Sequence, residues 1–138
     1  MTHSEVTFPV RYYETDQMAV VHHSNYIRYF ETARSQMMED WGFPIQRCEK
    51  ELGVLMAIVS VDCHFKHPAR MGDVLTAVAE IEKVPLAKLL VRQAVYNQDG
   101  EVCATGSVAL GFLDAATFRP VPCPDVLAKI IENHLNEK

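Results

Sequence analysis

A carboxylate, Asp16, stands seven residues ahead of a histidine in the run Tyr13-Glu14-Thr15-Asp16-Gln17-Met18-Ala19-Val20-Val21-His22-His23-Ser24-Asn25-Tyr26. Between the two, the residue pattern turns from strand-like to helical. A helix N-terminus carries unsatisfied backbone N–H donors and a partial positive charge. A carboxylate set opposite such donors can direct a water or a nucleophile at an acyl carbonyl that the donors polarise. The chemistry suited to this stretch is acyl transfer. From spacing alone Asp16 could equally cap a turn or the helix.

The elements around this stretch must hold those groups in place. Val6 to Tyr13 reads as a first strand, with Pro9 marking an edge or bulge. Tyr26, Tyr29, Phe30, Ala33, Met37 and Trp41 recur at helical spacing, and Ile27 and Met38 widen the stripe, which predicts a principal helix over Ser24 to Trp41. Gly42 stops it and Pro44 prevents its continuation. A short helical turn follows between Pro44 and Gly53. From Val54 onward the period is two. Val59, Val61, Cys63 and Phe65 describe a strand with one buried face, and Leu75, Ala77, Ala79 and Ile81 another. Strands over Lys88 to Asn97 and Val102 to Leu113 flank Gln98-Asp99-Gly100, a hairpin turn in which Asp-Gly tolerates positive φ. Pro124 opens a closing helix near Asp125 to Asn136. Four successive hairpin-like strands favour an antiparallel sheet, and curling it around the long helix satisfies both apolar patterns.

The 138 residues are expected to form one domain, 1–138, large enough for a sizeable core. A formal charge of −5 argues against nucleic-acid binding. No apolar run reaches the roughly 18 residues of a spanning helix, and the first residues lack a secretory pattern. Cys48, Cys63, Cys103 and Cys123 form no CxxC pair and are expected to be reduced packing residues of a cytoplasmic protein. No metal-binding spacing links His3, His22, His23, His64 and His67.

Tyr13, Thr15-Asp16, Ala19, Val21, His22-His23 and Tyr26, continuing into Glu31-Thr32-Ala33-Arg34, resemble the signature of the hotdog-fold acyl-CoA thioesterases of the 4-hydroxybenzoyl-CoA thioesterase type. Phe65-Lys66-His67-Pro68-Ala69-Arg70-Met71-Gly72-Asp73 and Arg119-Pro120-Val121-Pro122-Cys123-Pro124 extend the likeness across nearly the whole chain. Ala19 departs from it, standing where the family usually has Gly, and Ala resists positive φ. The resemblance implies an α+β hotdog fold: a curled antiparallel sheet around a long central helix, with a C-terminal helix. It implies that Asp16 attacks the thioester carbonyl or activates water to do so. His23 occupies the family's His-or-Tyr position at the helix start; its backbone N–H is the candidate oxyanion donor, and its ring can orient water or substrate.

Lys66, Arg70 and Lys88, near strand ends or turns, are the candidate phosphate contacts for coenzyme A, which is part of the substrate; no cofactor or metal is expected. Glu31 and Arg34, one helical turn apart, are expected to pair, Ser24 to cap the helix, and Tyr26 to pack. The implied assembly is a homodimer or homotetramer that removes exposed sheet edges. The rival class is a non-catalytic module binding acyl-CoA or an acyl-carrier protein.

Overall fold

The computed structural model describes residues 2–137. Helix α1 (Ser24–Asp40) presents Tyr26, Tyr29, Phe30, Ala33, Met37 and Met38 as its buried face, which is the stripe the periodicity predicts. Each large side chain fully withdrawn from water in this way contributes about 1.5–3 kcal/mol. Two polar residues, Asn25 and Arg34, are buried on the same helix. The helix ends where Gly42 takes φ 75°. Its N–H reaches Glu39 O at 2.9 Å and the Phe43 N–H reaches Met38 O at 3.0 Å, satisfying carbonyls the last turn leaves unpaired. Helix α2 (Ile45–Leu52) follows at once.

The strands are β1 (Thr2–Pro9), β2 (Val54–Phe65), β3 (Val74–Ile81), β4 (Lys88–Tyr96), β5 (Val102–Asp114) and the two-residue β6 (Pro120–Val121), with α3 (Asp125–Leu135) closing the described chain. All pair antiparallel, in the order β1-β3-β4-β5-β2, with β6 added to β5. The architecture is α+β, and α1 packs across β1, β3 and β4. Pro9, Phe65, Val74, Tyr96 and Val102 gather at one end of the sheet; Thr2, Val54, Ile81, Lys88 and Asp114 gather at the other.

Three expectations need correction. β1 begins at Thr2 and stops at Pro9, because its inward face is built from small polar residues, Thr2 and Ser4, as well as Phe8. The chain then turns through a 3-10 helix at Tyr12–Glu14. β6 went unforeseen because its first residue is a proline, which cannot donate to a ladder. β2 keeps the expected alternation only from Val61 onward. A bulge at Val59 turns that residue, expected inward, to the outer face beside Gly111, and Ile58 takes the inner side, which is not sealed. Ile58 is 47%, Val61 37% and Phe65 57% exposed, because β2 is the sheet's edge and lies beyond the cover of α1. The pairing shifts register between Ile58 and Ser60.

Gly106 on β5 has no room for a side chain between the backbone of the neighbouring β2 and the Phe30 ring of α1. A Cβ there would lie 2.1 Å from Asp62 O and 2.9 Å from the Phe30 ring. Backbone cannot yield as a side chain does, so Gly106→Ala is expected to destabilise the fold by about 3 kcal/mol, read as a shift in the denaturation midpoint.

Candidate active site

The segment between β1 and α1 folds into a small hairpin. Thr15 bridges Val21, the Asp16 N–H donates to Val20 O at 2.9 Å, and the Ala19 N–H donates to Asp16 O at 3.0 Å. The loop before β3 holds this hairpin from outside. Val20 bridges Arg70, the Val21 N–H donates to Ala69 O at 2.8 Å, and the Met71 N–H donates to Ala19 O at 3.2 Å. Asp16 is half-buried at the tip. Its Oδ1 accepts the Met18 N–H at 2.8 Å, while Oδ2 has no hydrogen-bond partner among the described residues. One carboxylate oxygen fixes the turn; the other is available.

Ala19 adopts φ 62°, so the turn keeps the left-handed geometry that glycine would favour. An L-residue there carries about 1 kcal/mol of strain, only partly offset by the freedom glycine has when unfolded. Ala19→Gly is therefore expected to raise stability by about 0.5 kcal/mol without altering the hairpin, a change measurable by denaturant titration.

Beneath the hairpin lies a residue the sequence reading passed over. Glu14 is only 6% exposed. Its carboxylate accepts the Arg11 N–H at 2.8 Å and the Tyr29 hydroxyl at 3.0 Å, and its backbone carbonyl accepts Asn25 Nδ2 at 2.8 Å and the His22 N–H at 2.9 Å. Burial, then the adjacent Glu14 charge, push the Tyr29 hydroxyl well above the ordinary phenol range, so it remains a donor. Glu14 thus ties the hairpin to the first two turns of α1. It positions the site rather than serving in it.

At the head of α1 the capping differs from expectation. His22, not Ser24, supplies the side chain: its Nδ1 accepts the Ser24 N–H at 3.2 Å and lies 2.9 Å from Ser24 Oγ. The His23 N–H meets no acceptor among the described residues. The His22 and His23 ring centroids lie 4.1 Å apart, with the rings tilted by 32°.

His23 borders a cleft of about 190 Å³ with Val21, Tyr26, Phe65, Lys66 and Cys103. Tyr26 is buried, as expected, with its ring 5.5 Å from that of Phe65. Its hydroxyl accepts the Ala69 N–H at 3.4 Å, and burial pushes its pKa up. Burial also pushes the Cys103 thiol up to about 11, with Asp73 and Glu101 adding to the effect, which leaves it a poor nucleophile at neutral pH. All four cysteines are free.

Of the residues singled out from sequence, the structure gathers four at one end of the sheet. His23 and Lys66 share the cleft, while Asp16 and Arg70 belong to the hairpin and the loop that braces it. Lys88 does not join them, because it starts β4 at the opposite end. Glu31 and Arg34 form no ion pair among the described residues; Arg34 Nη1 donates instead to Gln93 Oε1 at 2.8 Å. No group of His, Cys, Asp and Glu that could hold a metal ion occurs among the described residues, and no described helix is long and apolar enough to cross a membrane.

Residues 10–131 match the family model described as the Thioesterase-like superfamily. YneP of Bacillus subtilis (strain 168) is 31% identical over 118 residues, covering 86% of this chain and 85% of that protein. The acyl-CoA thioester hydrolase YbgC of Escherichia coli O157:H7 is 29% identical over 119 residues, covering 85% of this chain and 88% of its own length. A solved DHNA-CoA thioesterase from Staphylococcus aureus matches with a TM-score of 0.87 and 28% identity, over 99% of this chain and 94% of that one. The match spans hairpin, α1 and sheet together, and the chain belongs to the thioesterase-like superfamily, a family of thioester hydrolases.

Proposed function

We propose that this chain hydrolyses an acyl-CoA thioester to a free carboxylate and coenzyme A. The observation that carries the reading is the His23 N–H, free of any acceptor at the head of α1, beside a hairpin whose Asp16 has one uncommitted carboxylate oxygen. The thioester carbonyl oxygen accepts the His23 N–H, aided by the helix dipole, and the carbonyl carbon becomes electrophilic. As general base, Asp16 takes a proton from water as the water oxygen bonds to the carbonyl carbon. The carbon–sulfur bond then breaks, and the proton passes to the departing thiolate. As nucleophile, Asp16 bonds to that carbon first, and the carbon–sulfur bond breaks as coenzyme A leaves as thiolate. Water then hydrolyses the resulting anhydride, freeing the carboxylate product and Asp16 and releasing the proton that the thiolate takes up. Neither route uses a metal or redox cofactor.

The site is completed by a second copy of the chain. β2 offers a free edge of 12 residues and a half-exposed apolar inner face, the liability that pairing across subunits removes. A two-fold axis pairing β2 antiparallel with its copy sets the Phe65 end of one chain against the Val54 end of the other. That places Lys88 of the partner subunit near the cleft holding Lys66, so both cations can meet the phosphates of coenzyme A from opposite sides. The joined sheets curl around the α1 helices in the hotdog manner.

The test is release of coenzyme A thiol from a panel of aliphatic and aromatic acyl-CoAs. Turnover on at least one member is expected. A folded dimer that releases no thiol from any of them contradicts the reading.

A further inference from the structure

A second cavity, of about 240 Å³, opens along the middle of α1. Met37, Met38, Ile45, Met56, Ile58, Leu89 and Leu110 make it apolar, and two charged residues of α1, Glu31 and Arg34, complete its wall. Arg34 is the unusual member. It is only 5% exposed and lies on the face of α1 that otherwise carries core residues. A buried guanidinium normally meets a carboxylate, because leaving the charge unpaired is expensive. None lies within ion-pairing distance here among the described residues.

Among the described residues the one protein acceptor of Arg34 is neutral. Gln93 Oε1 takes Nη1 at 2.8 Å, and the Gln93 amide is itself fixed by Phe30 O at 2.8 Å and Val78 O at 3.4 Å. This clamp holds the guanidinium in a single orientation. Its remaining N–H groups have no acceptor among the described residues, yet none is sealed away from solvent-sized space, so they open onto the cavity. Burial lowers the Arg34 pKa and nearby Glu31 offsets this, but a guanidinium stays charged throughout the working range. An apolar chamber with clamped, unused cationic donors is built for a largely apolar group that ends in oxygen.

Position adds the second argument. The cavity draws Met56 and Ile58 from β2 and Leu89 from β4, all in the half of the molecule remote from His23. Within one chain Arg34 is 11 residues from His23, about 16 Å along a helix. Antiparallel pairing of β2 with its copy brings the Met56–Ile58 stretch of one chain toward the Phe65 end of the other. The cavity of one subunit then adjoins the cleft of the next.

We propose that this cavity receives the acyl group of the substrate and that Arg34 is a specificity-determining residue, selecting acyl groups that carry an oxygen acceptor toward their distal end. The assignment rests on the thioesterase reading and names the substrate class for that same site. Hydroxyl and carboxylate share the required chemistry: each accepts from the guanidinium, while Glu31 at the wall can also accept a proton donated by a hydroxyl. A plain alkyl group fills the apolar wall but leaves the donors unmet.

The probes are non-hydrolysable coenzyme A thioethers bearing hexyl, 6-hydroxyhexyl and 5-carboxypentyl groups, titrated calorimetrically into wild type and Arg34→Met. Wild type is expected to bind one or both oxygenated thioethers about 10- to 100-fold more tightly than hexyl, the range of a hydrogen bond to a charged group. The hydroxyl and carboxyl arms show which oxygen is preferred. Arg34→Met is expected to abolish the difference. Equal binding of all three by wild type, or an unchanged preference in Arg34→Met, overturns the proposal. Should Arg34→Met fail to fold, Arg34→Lys replaces it: the charge stays but the fork is lost, and the preference should fall at least about threefold. An unchanged preference in Arg34→Lys overturns the proposal equally. These titrations need no turnover. Arg34-dependent selectivity without thiol release from matching acyl-CoAs would refute the hydrolase and retain the cavity assignment.

Discussion

Asp16→Asn is expected to lower kcat for acyl-CoA hydrolysis by about 10²–10⁴-fold, the usual contribution of a positioned carboxylate. The substitution is unusually clean here. Asp16 Oδ1 accepts the Met18 N–H, and the amide oxygen of asparagine can accept the same bond, so the hairpin should survive. What disappears is the charge on Oδ2, and with it the capacity to take a proton from water or to bond to carbon. The melting temperature should stay within a degree or two, and the affinity for coenzyme A should change little. A loss of kcat with unchanged binding is the signature of a group that acts in the transition state. A loss confined to KM would make Asp16 a binding residue instead.

Val61→Lys carries the second large effect. Val61 stands mid-strand on the inner face of β2, 37% exposed in the single chain. In the isolated subunit a lysine there can run its stem along the apolar face and reach water, so the chain should fold. In the paired assembly its ammonium would be buried between two copies, twice over by symmetry, at a cost of several kcal/mol for each. Sedimentation should therefore show wild type at twice the 15.6 kDa chain mass or a multiple of it, and the variant at the chain mass. Hydrolysis should fall at least about tenfold with it, because the proposed site draws Lys88 of the partner subunit to the coenzyme A phosphates. A monomeric wild type, or a variant that remains dimeric and fully active, contradicts the assembly.

How much of the fold and the site is legible in the sequence depends on the kind of signal. The α1 stripe and the β3 alternation report burial of one face directly, and both were correct to within a residue at their ends. β2 shows the limit of the same reasoning. Alternation says that one face is apolar, not that the chain itself covers it, and the inner face of β2 is left half-exposed. Glu14 was missed because a carboxylate between Tyr13 and Thr15 looks like a solvated turn residue. Its burial depends on Arg11 and Tyr29, 3 and 15 residues away. Helical spacing alone pairs Arg34 with Glu31, whereas its hydrogen-bond partner, Gln93, comes from a strand 59 residues on.

The place of Lys88 in the sheet can be read from the order of the strands. Each hairpin reverses direction, so a chain leaving β2 at the site end enters β3 there, exits at the far end and begins β4 there. Counting reversals puts Lys88 away from Asp16 in its own subunit. Ser24 suits a cap by residue type, but its hydroxyl turns back to His22 Nδ1, which also accepts the Ser24 N–H. Ala19 shows that a motif can lose its glycine and keep its geometry, with modest strain as the consequence.

The most direct measurement is thiol release from the acyl-CoA panel by wild type and Asp16→Asn side by side, with coenzyme A binding followed in both. Turnover is expected in wild type, with a fall of about 10²–10⁴-fold in the variant and comparable binding by the two. Wild-type turnover that the substitution leaves intact would remove Asp16 from the mechanism. Binding without turnover in wild type would make the chain an acyl-CoA binding module rather than a hydrolase.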